Sequence, residues 1–194
     1  MTVEPTPTER QVPAIRRASA ADALNLAHMH VESWRETYPG LLPPAMMASL
    51  SVDSRTAAWS RALGEPSQPT VVFVGELGDR IIGFGACGPQ RSEGLKARGY
   101  DGEIEAVYVL KAFQQHGLGT RLFAAMACSM QARGLKGMSL WVLRDNMPAQ
   151  AFYQRLGGQV IAQREDARQH GVLFELAYGW PDLTTILNAG RQAE

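Results

Sequence analysis

The spacing of hydrophobic residues switches repeatedly along this chain between the alternation of a strand and the three-to-four-residue rhythm of a helix. Ala14-Ile15-Arg16-Arg17 reads as a short strand. Ser19 and Asp22 then form a capping-box pattern ahead of Leu24, Ala27, Met29 and Val31, which recur at helical spacing. Tyr38-Pro39-Gly40 breaks that helix, and Pro43-Pro44 opens a second, interrupted helical region whose apolar side is Met46, Met47, Leu50 and Trp59. From Thr70 to Glu76 and from Arg80 to Ala86 the chain is β-branched and aromatic on either side of Gly78-Asp79, which predicts a hairpin. Residues 88 to 101 read as a loop.

Glu103 to Val109 alternates, with Glu103, Glu105, Val107 and Val109 expected on one face and Ile104, Ala106 and Tyr108 on the other. Leu118, Leu122, Ala125, Met126, Ser129 and Met130 then keep helical spacing up to Gly134. A strand is expected at Ser139 to Leu143, a helix from Pro148 to Leu156, and strands near 159 to 164 and 172 to 178. The order βααββ followed by βαβαββ predicts a single α/β domain over residues 13 to 180. Residues 1 to 12, rich in Thr, Pro and Glu, are expected to form a disordered leader, and 181 to 194 a loosely packed tail.

Composition narrows the function classes. Among 194 residues, 19 basic and 19 acidic side chains cancel, so no overall field favours nucleic acid or an anionic membrane. No run approaches the ~18 apolar residues of a membrane span, and no apolar segment follows a basic start, so a cytoplasmic protein is expected. Cys87 and Cys128, without ligand spacing, read as two buried free thiols. His28 and His30, two apart on a helix, face away from each other and do not suggest a metal site.

The segment Gln114-Gln115-His116-Gly117-Leu118-Gly119-Thr120 joins the end of a strand to the start of a helix. There, unpaired amides and the positive end of the helix dipole surround one small volume suited to phosphate. Gly117 and Gly119 permit close backbone approach, Thr120 adds a hydroxyl and Gln114 an amide. A Gly-x-Gly by itself also makes an ordinary tight turn, and the spacing here is neither that of a dinucleotide fingerprint nor that of a P-loop.

With Gln114, Gly117 and Gly119 the segment resembles the glycine motif of the GNAT superfamily: Gln or Arg, two variable residues, Gly, one variable residue, then Gly or Ala, placed after the fourth strand. Asn146-Met147-Pro148-Ala149-Gln150-Ala151-Phe152-Tyr153-Gln154-Arg155-Leu156-Gly157 is similar to that family's Asn-x-x-Ala-x-x-Phe-Tyr-x-x-x-Gly segment. Ser33-Trp34-Arg35, Tyr38 and Gly40-Leu41-Leu42-Pro43 resemble a bacterial subgroup of it.

The resemblance covers about residues 14 to 178. It implies a mixed, mostly antiparallel sheet of about seven strands, splayed between the fourth and fifth and flanked by about four helices. It also implies acetyl-CoA as co-substrate and transfer of its acetyl group to an amine by direct attack in a ternary complex. Residues Gln114, Gln115, His116, Gly117, Leu118, Gly119 and Thr120 would meet the pyrophosphate. Val107, Tyr108 and Val109 would meet the pantetheine arm, with Asn146, Ala149 and Phe152 beside it. Tyr153 would protonate the departing thiolate, or else pack on the sheet as an aromatic. Glu103 or Glu105 would take the amine proton, or lie solvated at a strand edge. Trp34 and Tyr38 would line the acceptor pocket or anchor the first helix. The family often dimerises, so a homodimer is an open expectation. A different acyl-CoA donor and a non-catalytic acyl-CoA-binding sensor are the alternatives.

Overall fold

In a computed structural model the structure describes residues 12–65, 67–168 and 171–192; the expected leader lies almost wholly outside them. Seven strands form one sheet: β1 Ala14–Arg17, β2 Val71–Leu77, β3 Arg80–Pro89, β4 Gly102–Val109, β5 Met138–Leu143, β6 Gln159–Arg168 and β7 Gly171–Trp180. Their order is β1-β2-β3-β4-β5-β7-β6. Every neighbouring pair is antiparallel except β4 and β5. Those two strands pair only at Gly102 with Met138 and Glu103 with Ser139, and then diverge. The expected splay is present.

Seven helices are found among the described residues: α1 Ala23–Thr37, α2 Pro44–Ala48, α3 Val52–Gly64, α4 Glu93–Lys96, α5 Leu118–Ala132, α6 Met147–Arg155 and α7 Thr184–Gln192. None is long and apolar enough to cross a membrane. The count exceeds the expected four partly because the interrupted region after Pro43 is two helices, α2 and α3. A single turn, α4, also interrupts the loop at 88 to 101, with the Ser92 hydroxyl accepting from the Leu95 amide.

Helix α5 packs on one sheet face through Leu118, Leu122, Phe123, Met126 and Met130, all at most 2% exposed. Each such side chain contributes about 1.5–3 kcal/mol by leaving water. The strand glycines make room for this helix: a Cβ on Gly75 would stand 2.7 Å from Leu118 Cδ1, and one on Gly85 2.7 Å from Met126 Sδ. The opposite face is covered by α1 and α3, with Leu26, Met29 and Trp59 against Val72, Val74, Phe84 and Tyr108.

Three expectations need correction. The tail is not loose, because Leu183 and Ile186 are buried in the α5 core and Gly190 of α7 lies directly on Ala124. Cys128 is exposed, and only Cys87 is buried. The alternation along β4 also fails. Ala86 pairs with Ala106 but Cys87 with Ile104, so Glu105 is an extra residue, a β-bulge. Beyond it the faces exchange: Ile104 and Val107 both pack on the α5 side, while Ala106 and Tyr108 pack on the α1 side.

Candidate active site

The end of β4 passes into α5 through a short 3-10 turn, Lys111–Phe113, and a loop of unusual backbone. Gln115 has φ 63°, the one non-glycine residue with positive φ among those described, and Gly117 follows at φ 81°. Such left-handed residues cost energy unless the loop needs them, and here they turn the chain so that α5 starts abruptly. The first helical bond runs from the Arg121 amide to the Gly117 carbonyl, 3.0 Å. The amides ahead of Arg121 therefore have no helical acceptor, at the positive end of a 15-residue helix. Two of the loop's side chains engage its own backbone: Gln114 Nε2 donates to the Val109 carbonyl at 2.9 Å, and His116 Nδ1 lies 2.6 Å from the Gln114 carbonyl. The unpaired donors at this helix start are thus backbone amides. Gly119 lets α6 approach, since a Cβ there would stand 3.1 Å from Phe152 Cζ.

From this loop a cleft of about 730 Å³ runs along the gap between β4 and β5 to the C-terminal end of α1. It brings together most of the predicted residues. Glu105, Val107, Tyr108 and Val109 form one lip; Gln114, Gln115, Gly117, Gly119 and Thr120 form the loop end; Ala149, Phe152 and Tyr153 come from α6 and Asn146 from its N-cap, and Tyr38 from the C-cap of α1. Glu103, His116, Leu118 and Trp34 are not on its wall. Leu118 belongs to the core, 2% exposed. Asn146 caps α6, its Oδ1 accepting from the Ala149 amide at 3.3 Å.

The bulge places the two carboxylates of β4 differently. Glu103 is buried and accepts from Arg91 three times: from the backbone amide at 3.1 Å, from Nε at 3.0 Å and from the terminal nitrogen at 2.7 Å. Glu105 faces the cleft, accepts from the Thr70 hydroxyl at 2.6 Å, and has its nearest Arg91 nitrogen at 3.9 Å. Tyr153 stands between Phe123, Phe152 and Trp180. Burial, with Tyr38 nearby, pushes its phenol well above the usual range, so it stays protonated at neutral pH.

The description "Acetyltransferase (GNAT) family" matches residues 27–158, more than half of the chain. The chain belongs to that acetyltransferase family. A Bacillus subtilis relative, the uncharacterized N-acetyltransferase YuaI, is 36% identical to this acetyltransferase over 179 residues, covering 90% of this chain and 98% of its own. Two solved structures share the fold. PaiA N-acetyltransferase from Thermoplasma acidophilum, in complex with coenzyme A, superposes with TM-score 0.64 at 19% identity, over 85% of this chain and 98% of that one. YncA from Salmonella typhimurium, with its cofactor acetyl-CoA, does so with TM-score 0.64 at 20% identity, over 89% and 95%.

Several residues of the acetyltransferase cleft escaped the sequence reading. Trp141, Leu143 and Glu175 line it from β5 and β7. Glu175 is opposite Leu143 across the β5–β7 ladder and pairs with Arg164 at 2.7 Å, whose guanidinium lies over the Trp141 ring at 4.1 Å. Only the pairing register brings these residues to the site, so no motif announces them.

Tyr38 lines the cleft, its hydroxyl 2.8 Å from that of Tyr108. Burial raises both phenols, and the Tyr38 hydroxyl raises Tyr108 further. Trp34 sits behind them, with the Arg55 guanidinium over its ring at 5.0 Å. His30 completes this aromatic group against Trp34, Trp59, Phe84 and Tyr108, with Trp59 Nε1 donating to its Nδ1 at 3.3 Å. Burial, with Arg55 nearby, lowers its pKa to about 3, so it is a neutral core residue.

Proposed function

We propose that this acetyltransferase moves an acetyl group from acetyl-CoA to a primary amine by direct attack within one ternary complex. The observation that carries the proposal is the open gap between β4 and β5. It runs from a helix start suited to an anion, past free strand backbone, to a carboxylate on the β4 lip and a protonated phenol on α6. Acetyl-CoA supplies an acetyl thioester already activated for attack.

The residues fit that co-substrate. Gly117, Gly119 and Thr120, with the first-turn amides of α5, suit a pyrophosphate. The backbone at Val107 to Val109, unpaired on the β5 side, suits the amides of an extended pantetheine arm. Ala149 and Phe152 give the arm an apolar wall.

The amine arrives mostly protonated at neutral pH and must lose a proton before it attacks. Glu105 takes that role, directly or through water, because it faces the cleft and has one side free of strong ion pairing. Glu103 does not, since Arg91 occupies it from three directions. Tyr153 gives its proton to the departing thiolate, and its raised pKa ensures that the proton is there to give. Neither thiol is suited to carry the acetyl group, because Cys87 lies under α5 with its pKa pushed up to about 12 by burial, and Cys128 is off the cleft wall.

The test is release of free thiol from acetyl-CoA across a panel of primary amines. Turnover that requires both substrates supports the proposal, and the same assay with propionyl-CoA and succinyl-CoA ranks the acyl donors. Tight CoA binding without turnover on any amine overturns it in favour of a sensor.

A further inference from the structure

We infer that Thr70 is a positioning residue for acetyl transfer: its hydroxyl holds one oxygen of Glu105 and leaves the other to take the proton of the amine. This role rests on the reading of Glu105 as the base.

Glu105 has one hydrogen bond among the described residues, donated by Thr70 Oγ1 to its Oε1 at 2.6 Å. Its Oε2 has Arg91 Nη1 at 3.9 Å, too far to bond, because Arg91 commits Nε and Nη2 to Glu103. A carboxylate held in this way keeps one oxygen engaged and one open. The side chain is 22% exposed and lines the cleft, within reach of an amine bound there, directly or through water. A glutamate turns about several torsions that must be fixed before it can act on one atom. Without the Thr70 donor, the nearest strong partner is the Arg91 guanidinium, and the carboxylate would swing onto it.

The donor is itself fixed. Threonine is branched at Cβ and turns less freely about χ1 than serine. Pro69 before it has its φ set by the ring, and the Pro69 carbonyl accepts from Arg133 Nη1 at 2.6 Å, at the C-terminal cap of α5. Val71 after it is buried and pairs with Cys87 across the β2–β3 ladder.

Space for the pair comes from Gly88 on β3. A Cβ there would stand 3.0 Å from Glu105 Oε1 and 3.4 Å from Thr70 Oγ1, so a larger residue would crowd both. The bulge supplies the direction. Register passes from Ala86–Ala106 to Cys87–Ile104, which leaves Glu105 without a partner of its own and frees its side chain from the strand's alternation.

The test uses the full chain, acetyl-CoA and the amine that turns over fastest in the panel above, followed by thiol release. Thr70→Val keeps the branched shape and loses the donor, whereas Thr70→Ser keeps the donor. At neutral pH, Thr70→Val should lower kcat about tenfold, the order of one lost hydrogen bond. The KM for acetyl-CoA should stay within about twofold of wild type. The loss should shrink as pH rises, since an amine that has shed its own proton needs no base. Thr70→Ser should recover most of kcat. In a Glu105→Gln background, Thr70→Val should change kcat by less than about twofold, because the group it positions is gone. Wild-type kcat in Thr70→Val, an equal loss in Thr70→Ser, or a full further loss on top of Glu105→Gln would overturn the role of Thr70 and leave Glu105 standing as the base. Wild-type kcat in Glu105→Gln would overturn the reading of Glu105, and the role of Thr70 with it.

Discussion

Thr70 holds the Glu105 carboxylate at 2.6 Å through a neutral hydroxyl, while Glu103, two residues earlier on the same strand, is held by a guanidinium at 2.7 Å. The first arrangement leaves the Glu105 carboxylate without a close cation, and the second fills Glu103 with donors from Arg91. Glu105→Gln should therefore lower kcat by roughly hundredfold or more. The loss should shrink as pH rises and the amine deprotonates without help. A loss of equal size at every pH would count against Glu105 as the base. Glu103→Gln should instead act on the fold, lowering stability by about 1–3 kcal/mol with kcat largely kept, as thermal or urea melts would show.

Tyr153→Phe removes one hydroxyl from an otherwise aromatic setting. Turnover should fall by roughly hundredfold while CoA affinity, measured by calorimetry, changes little. Wild-type turnover in this variant would exclude the phenol as the acid.

Gly117→Val places a branched side chain at φ 81°, where such residues cost about 1–3 kcal/mol, and moves the first-turn amides of α5. Affinity for CoA should weaken by about tenfold or more. Unchanged affinity would show that the loop does not hold the pyrophosphate.

His30 gives a prediction on pH and stability. Its pKa is about 3 in the folded state against 6.5 for a free side chain, so between those values the unfolded chain binds the extra proton. Stability from this group is complete above pH 6.5 and falls as pH drops from 6.5 toward 3. Asp22, lowered to about 2 chiefly by its bond to Arg16, loses its contribution at the acid end, below its usual 3.8. His30→Gln, which keeps an acceptor for Trp59, should flatten the decline between pH 6.5 and 4 in urea melts. An unaltered decline would assign it to other groups.

Ile186→Ala should cost about 2–5 kcal/mol, because the side chain is fully buried under α5. A loss near zero in urea melts would mean that α7 is docked only loosely.

Much of this fold was legible because its signals are local. Gly78-Asp79 between two β-branched runs gave a hairpin, and Ser19 with Asp22 gave a helix start; both are present. The glycine loop and the Asn146 segment were legible for the same reason, each being one continuous stretch. What could not be read depends on pairing between distant segments. The bulge at Glu105 shows only in the register with Cys87 and Ala86, so an alternation rule assigned Val107 and Val109 to the carboxylates' face. Glu175, Trp141 and Arg164 enter the site through the β5–β7 and β6–β7 ladders, which no motif encodes. The last helix was missed although Leu183, Ile186 and Leu187 keep helical spacing, because what makes it a core element is its docking beside α5, a contact between distant segments.

The strand pairs Gly102–Met138 and Glu103–Ser139 leave the rest of the β4 lip without a neighbour on the β5 side. Hydrogen–deuterium exchange over residues 104–109 then becomes an internal gauge of occupancy. Amides turned toward the gap should trade their hydrogens with solvent quickly in the empty protein and slowly once an extended ligand lies along them. Those turned toward β3 should hardly notice. A titration followed by mass spectrometry would thus read out where a bound molecule lies along the strand, residue by residue, before any acceptor is known.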